Sequence, residues 1–348
     1  MKLVTFEISS SLGKQERLGC CISSAIIDLN HAFALYLLRE KGEPHARLKA
    51  NAQVPADMIR FLELGQPALV SAQKAVDYVQ KCMRLGDKVL TREAKRIVYS
   101  NNEVALLPPV PRPVIIRDFC CFEQHVRNCS LPDHKVPDLW YQLPGYFNEK
   151  PTNIGRHKDT IPWPGYTDFL DYEFEIAMYI GASGKDITEK DASDYIAGYT
   201  IYNDVSARDR QSIEEQLGIG PKGKGKDFDK SNIFGPCLVT RDEFDFEKSH
   251  KMIARVNGQV RTERNTNEMY WRWADLVEYA SQDETLYPGE VFGSGTCGFG
   301  SALDYERTGD SSKHLRPGDV IEFEVEGIGL LSNKVGQKKA KKLWRGKY

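Results

Sequence analysis

The chain has 348 residues, 41% of them hydrophobic, and its 47 basic and 49 acidic side chains leave a net charge of −2. That balance excludes the strongly basic surface on which nucleic-acid and membrane-surface binders depend, and no stretch approaches the ~18 apolar residues of a membrane span. The opening, MKLVTFEISSSLGKQERLGCC, lacks an apolar run of signal-peptide length, so the expected setting is the cytoplasm. Eight cysteines include the adjacent pairs Cys20/Cys21 and Cys120/Cys121 but no CxxC spacing, which suits reduced thiols better than a disulfide framework. Cys129 and Cys297 have the residue type of a nucleophile, but buried, inert thiol is the expectation for each.

The chain exceeds the usual single-core size, so one large domain with a smaller companion is expected. In the first part, SAIIDLNHAFALYLLREKG, PADMIRFLELG and SAQKAVDYVQKCMRLGD have helical spacing, with Ser71 as an N-cap and Gly86 as a stop. The segment LLPPVPRPVIIRDF carries Pro108, Pro109, Pro111 and Pro113, which fit neither helix nor central strand and mark a boundary. Residues 1–107 therefore read as a small N-terminal α/β domain and residues 108–348 as the larger one. Beyond the boundary the period becomes two: YEFEIAMYIG, YIAGYTIYND, FGPCLVT, HKMIARVNGQVRTE, GEVFGSG and GDVIEFEVEGIGLLSNKV read as short strands, with Asn257-Gly258 as a hairpin turn. The fold class is α+β, mainly β. Two G-x-G-x-x-G segments, Gly218–Gly223 and Gly293–Gly298, lack the strand-then-helix setting of a dinucleotide site. The terminal KKAKKLWRGKY reads as a solvated tail.

Within DYEFEIAMYI, Tyr172, Phe174, Ile176, Met178 and Ile180 are apolar and alternate with Asp171, Glu173 and Glu175. A strand puts residues two apart on one face, separated by about 6–7 Å, so the acids share a side that is either wet or holds a cation. DVIEFEVEGIG shows the same alternation with Glu322, Glu324 and Glu326, so periodicity alone does not separate the two readings. Asp204 ends the strand-like IAGYTIYND, just before a helix expected to start near Ser206. That is a common place for a ligand or catalytic carboxylate, and equally for an Asx turn or helix cap. Arg208 and Gln211, three apart on that helix, point from one side.

DYEFEIAMYIG, GYTIYNDVSARDRQ, KGKDFDKSNIFGP, NGQVRTERNTNEM, GSGTCG and LRPGDVIEFEVEGIGLLSNKV, in this order over about residues 113–336, resemble the successive motifs of the fumarylacetoacetate hydrolase superfamily. The resemblance implies a mixed-sheet catalytic domain in which Glu173, Glu175 and Asp204 hold a metal ion, with Asp118 as a further metal-side carboxylate. Oxygen-only ligands suit Mg²⁺ or Ca²⁺, and Mn²⁺ also qualifies. It further implies His125 of RDFCCFEQHV as the group that activates water, Asp304 as its acidic partner, and Lys226 as the active-site lysine. Asp118 and His125 lie seven apart, two helical turns if the segment is helical. Arg208, Gln211, Tyr146 and Thr296 are implied as substrate-binding. The activity implied is metal-dependent hydrolysis of a C–C bond in a diketo acid of the fumarylacetoacetate or acylpyruvate type. Decarboxylation of a β-keto acid such as oxaloacetate, or isomerisation or hydration of a dienoate, would use the same ligands; a non-enzymatic cation-binding protein is the reading from another class. The expected partners are the small diketo acid and a second copy of the chain, not nucleic acid or membrane. Residues 1–107 are expected to supply packing or dimer contacts and no catalytic group.

Overall fold

The computed structural model describes residues 1–10, 13–93, 95–130, 132–218 and 223–340. All but the first three residues of the basic tail, and the middle of the first glycine-rich segment, lie outside these. The spine of the fold is the strand Phe174–Ile180, paired antiparallel with Ile196–Asp204 on one side and Val291–Gly293 on the other. Val291–Gly293 pairs in parallel with Ile116–Phe119, whose outer neighbour is Tyr146–Glu149. On the other flank Ile196–Asp204 pairs with Asn232–Thr240, which in turn takes the N-terminal strand Lys2–Ser10 through Lys2↔Val239 and Leu3↔Leu238. The proline-rich boundary thus separates two stretches of chain whose strands join one twelve-stranded sheet.

A second sheet of five strands, ordered Gln259–Asn265, Lys251–Val256, Val320–Val325, Gly329–Lys338 and Thr160–Trp163, covers one face of the first. Its hairpin at Asn257-Gly258 has φ of 53° and 75°, the doubly left-handed backbone of a type I′ turn. Ile321, Phe323 and Val325 point inward, and Phe323 stacks on Phe174 with ring centroids 4.3 Å apart. Glu322 and Glu324 point outward, and Glu324 meets Arg255 at 2.7 Å. The alternation there is the wet kind.

The spine differs. Every residue of Phe174–Ile180 is buried, so the face carrying the acids is not solvated. Phe174, Ile176, Met178 and Ile180 meet the second sheet, whereas Ala177 and Tyr179 join the core under the N-terminal helices Leu29–Lys41 and Gly65–Arg84. Glu173 and Glu175 occupy the end of that same face.

Two local expectations are corrected. The segment 24–42 opens as the strand Ala25–Asp28, because Ile26 and Ile27 pair with Cys21 and Cys20; the helix starts at Leu29, capped by the Asp28 carboxylate accepting from the His31 N–H. The helix expected to start at Ser71 begins at Gly65, so Ser71 lies inside it and donates its hydroxyl to the Pro67 carbonyl at 2.9 Å instead of capping. Gly86, with φ of 74°, follows the helix end as expected. Among the described residues no helix is long and apolar enough to cross a membrane.

Candidate active site

Strand ends build the site. Asp118 comes from Ile116–Phe119, Glu149 from Tyr146–Glu149, Glu175 from the spine, with Glu173 just before it, and Asp204 from the end of Ile196–Asp204. All five carboxylates are buried. Ligand atoms of Glu173, Glu175 and Asp204 lie within 4.8 Å of one another, as do those of Asp118, Glu149 and Asp204. Gly293, paired with Ala177 and in register with Asp118, makes the close approach possible. A Cβ there would collide with Asp118 Oδ1 and stand 3.2 Å from Glu175 Oε2. Gly293→Ala should therefore weaken Mn²⁺ binding by about tenfold or more while the far-UV circular dichroism stays native; an unchanged Mn²⁺ affinity by titration calorimetry would show that the two acids can part freely.

Lys226 enters this cluster. Its ammonium donates to Glu173 Oε2 at 2.5 Å, to Ser206 Oγ at 2.7 Å and to Asp204 Oδ2. The neighbouring Lys224 is exposed and turns to the Asp227 carbonyl. The loop is fixed by Glu214, whose carboxylate accepts the N–H groups of Gly223, Lys224 and Gly225 at 3.1, 2.7 and 3.0 Å. Ser206 is not a helix cap. It lies in the short strand Ser206–Ala207, and the helix Arg208–Gln216 follows.

Arg208 is fully engaged: Nε donates to Asp171 Oδ2 at 2.9 Å, Nη2 to Glu173 Oε1 at 2.7 Å and Nη1 to Gln211 Oε1 at 3.1 Å. Asp171 is itself held by the N–H groups of Ala302 and Leu303 at 2.8 and 3.0 Å. Arg208 thus orients Glu173 directly, and Gln211 holds Arg208 in turn. Thr296 also orients a carboxylate, donating to Glu175 Oε1 at 3.2 Å. Tyr146 is not brought to the site at all. It pairs with Phe119, one residue out of phase with Asp118, and packs on that ring at 5.0 Å on the opposite sheet face.

Burial opposes charge on Glu173, but Arg208 and Lys226 outweigh it and hold the carboxyl well below its usual range. Glu175 is the reverse: burial, then the charges of Asp118, Glu173 and Asp204, push it well up. Burial also raises Asp204 well above the usual range and Asp118 to about 7, with Lys226 countering in both. Asp118 Oδ1, Glu175 Oε2 and Asp204 Oδ1 are buried without a hydrogen-bond partner. Unpartnered, converging carboxylate oxygens in a negative cluster fit a divalent cation, which supplies the missing charge and accepts hard oxygen donors.

Asp118 and His125 do not share a helix. Asp118 is the penultimate residue of the strand Ile116–Phe119 and His125 lies on the helix Glu123–Cys129, so the turn between them brings both inward. His125 Nδ1 is 2.9 Å from Asp304 Oδ2, and Nε2 is 4.0 Å from Glu173 Oε1. Asp304 is fixed by Ser301 Oγ at 2.6 Å and Asn128 Nδ2 at 2.8 Å. Burial works against a charged imidazole, but Asp304 outweighs it and raises His125 well above its ordinary value. The dyad is able to take up a proton and give it back beside the carboxylates.

The family pattern of the fumarylacetoacetate (FAA) hydrolase C-terminal domain matches residues 114–336. The chain belongs to the fumarylacetoacetate hydrolase family. It is similar to the mitochondrial oxaloacetate tautomerase fahd2 of Xenopus laevis, 32% identical over 340 residues, 96% of this chain and 90% of that one. It is also similar to the oxaloacetate tautomerase YisK of Bacillus subtilis, 29% identical over 310 residues, 85% of this chain and 98% of that one. Its fold is shared with the maleylpyruvate hydrolase of Sphingobium sp. SYK-6 in complex with manganese(II) ion and pyruvate, at TM-score 0.64 and 19% identity, covering 97% of this chain and all of the other.

In this family member, sequence reasoning missed Glu149, Asn128, Ser206 and Glu214 and gave Asp171 no role. For Asp171 the two-residue spacing from Glu173 was a usable signal. For Glu149 none existed, since only strand pairing carries it to Asp118 and Asp204.

Proposed function

We propose that the chain catalyses proton transfer at the carbon beside the keto group of a 2-oxo acid, and that keto–enol tautomerisation of oxaloacetate, not hydrolytic C–C cleavage, is its reaction. The observation that carries this reading is the His125–Asp304 dyad, whose second ring nitrogen faces the carboxylate cluster through Glu173. Relatives matching nearly the whole chain and named oxaloacetate tautomerases support the substrate.

Asp118, Glu175 and Asp204 would hold the cation, with Glu173 beside them; Mg²⁺, Mn²⁺ and Ca²⁺ all suit the oxygen set. When bound, the ion supplies Lewis-acid stabilisation of negative charge on an enolate oxygen. The protein's own residues do the rest. His125, whose imidazolium Asp304 favours, gives its Nε2 proton to the enol carbon between the oxygen-bearing carbon and the carboxylate group and takes it back there in the reverse direction, while a proton is lost or gained at the keto oxygen. Asp304 keeps the imidazole oriented and stabilises its charged form. Lys226 and Arg208 keep Glu173 ionised, and burial excludes water.

The test follows the decay of enol absorbance of oxaloacetate with Mg²⁺, alongside release of pyruvate from oxaloacetate and from an acylpyruvate. The expected result is accelerated enol–keto interconversion without pyruvate. Faster pyruvate release from the acylpyruvate would make the protein a hydrolase; release from oxaloacetate would make it a decarboxylase.

A further inference from the structure

We propose that His125, Cys129 and Asp304 form a second cation site beside the carboxylate cluster, one for Zn²⁺ or a similarly thiophilic divalent ion, whose occupation switches His125 off. His125 and Cys129 are four apart on the helix Glu123–Cys129, so their side chains share a face. Cys129 Sγ lies 4.0 Å from His125 Nδ1 and 3.9 Å from Nε2. Asp304 Oδ2 lies 2.9 Å from Nδ1, and one donor atom from each of the three residues falls within 4.8 Å of the others.

Tetrahedral zinc with Zn–N, Zn–S and Zn–O lengths near 2.0, 2.3 and 2.0 Å needs N···S of about 3.5 Å and N···O of about 3.3 Å. The Sγ···Nδ1 distance of 4.0 Å and the Nδ1···Oδ2 distance of 2.9 Å each stand within roughly half an ångström of that spacing. The donor set differs in kind from the neighbouring site. Imidazole, thiolate and one carboxylate select zinc, whereas oxygen alone selects Mg²⁺ or Mn²⁺. Asp304 is already held by Ser301 and Asn128, as a ligating carboxylate should be. His125 and Cys129 are half-buried, leaving a side for a water as fourth ligand.

Binding displaces the thiol proton and, from an imidazolium, the Nδ1 proton; both pass to solvent. Zinc then occupies the nitrogen that Asp304 would stabilise, and the ring no longer cycles between its two protonation states. The consequence for turnover rests on the role of His125 proposed above, but the binding itself does not.

The experiment uses the full chain with saturating Mg²⁺ and adds Zn²⁺, read by competition with a chromophoric chelator and by turnover. The wild type should bind zinc and lose activity in a way that more Mg²⁺ does not relieve. Cys129→Ala should keep basal turnover, bind zinc about tenfold or more weakly, and need correspondingly more zinc for inhibition. Co²⁺ added in place of Zn²⁺ should give a thiolate-to-metal charge-transfer band in the near ultraviolet in the wild type and none in the variant, a readout that needs no activity. Should Cys129→Ala fail to fold, the nearly isosteric Cys129→Ser carries the same comparison. Equal zinc affinity in wild type and variant, relief of inhibition by Mg²⁺, or absence of the cobalt band in the wild type would each overturn the proposal.

Discussion

His125→Ala lowers the rate of keto–enol interconversion by about 10²–10⁴-fold and leaves the Mn²⁺ affinity of the carboxylate cluster unchanged. The size is what a positioned acid–base group contributes. The separation of the two readouts follows from geometry. His125 reaches the cluster only through Glu173, at 4.0 Å, and Glu173 has other partners in Arg208 and Lys226, so the oxygens of Asp118, Glu175 and Asp204 keep their places. Asp304→Asn should cost less, because the ring Nδ1–H can still donate to the amide oxygen and the ring keeps its place on the helix, but it loses the charge that favours imidazolium. Steady-state rates beside calorimetric Mn²⁺ titrations check both variants. A loss below tenfold in His125→Ala would remove the dyad from the chemistry and leave the cation and Lys226 as the working groups.

Glu175→Gln should have effects of opposite sign with and without metal. In EDTA the variant should be more stable than the wild type, by about 1–3 kcal/mol, since a buried carboxylate pressed by Asp118, Glu173 and Asp204 is replaced by a neutral amide. With cation at a hundred times its dissociation constant the wild type gains about 2.7 kcal/mol, and the variant should gain almost nothing. The same shifts set a pH dependence. Glu175 and Asp118 have folded-state values raised above their unfolded ones, Asp118 to about 7, so the stability they confer is complete below the unfolded value and is lost as pH rises through the folded one. Without metal the wild type should therefore lose stability between about pH 4 and 7. Thermal melts in EDTA and in Mn²⁺ across that range decide it. A variant that melts at the wild-type temperature in EDTA and still gains from Mn²⁺ would place the cation elsewhere.

Local spacing was enough for part of this. Alternation placed Glu173 and Glu175 on one face of a strand, Asn257-Gly258 marked a hairpin, and the order of six short motifs pointed to the family that the match over residues 114–336 then showed. Those are properties of neighbouring residues and of chain order, and they survive folding unchanged. A period of two states which residues share a face but not what covers it. DYEFE and VIEFEVE read alike, yet the first lies under the fold's own core and the second faces water, a difference made by the N-terminal helices and by strands more than a hundred residues apart. Nor does spacing fix the phase between two strands. Tyr146 is lost from the site because it pairs with Phe119 and not with Asp118, while Glu149, three residues on, is gained. The spacing of Arg208 and Gln211 gave no sign of the partners Asp171 and Glu173, which lie 37 and 35 residues away from Arg208. A guanidinium buried with no solvent to share must take the carboxylates that the sheet brings to it, and that choice belongs to tertiary structure alone.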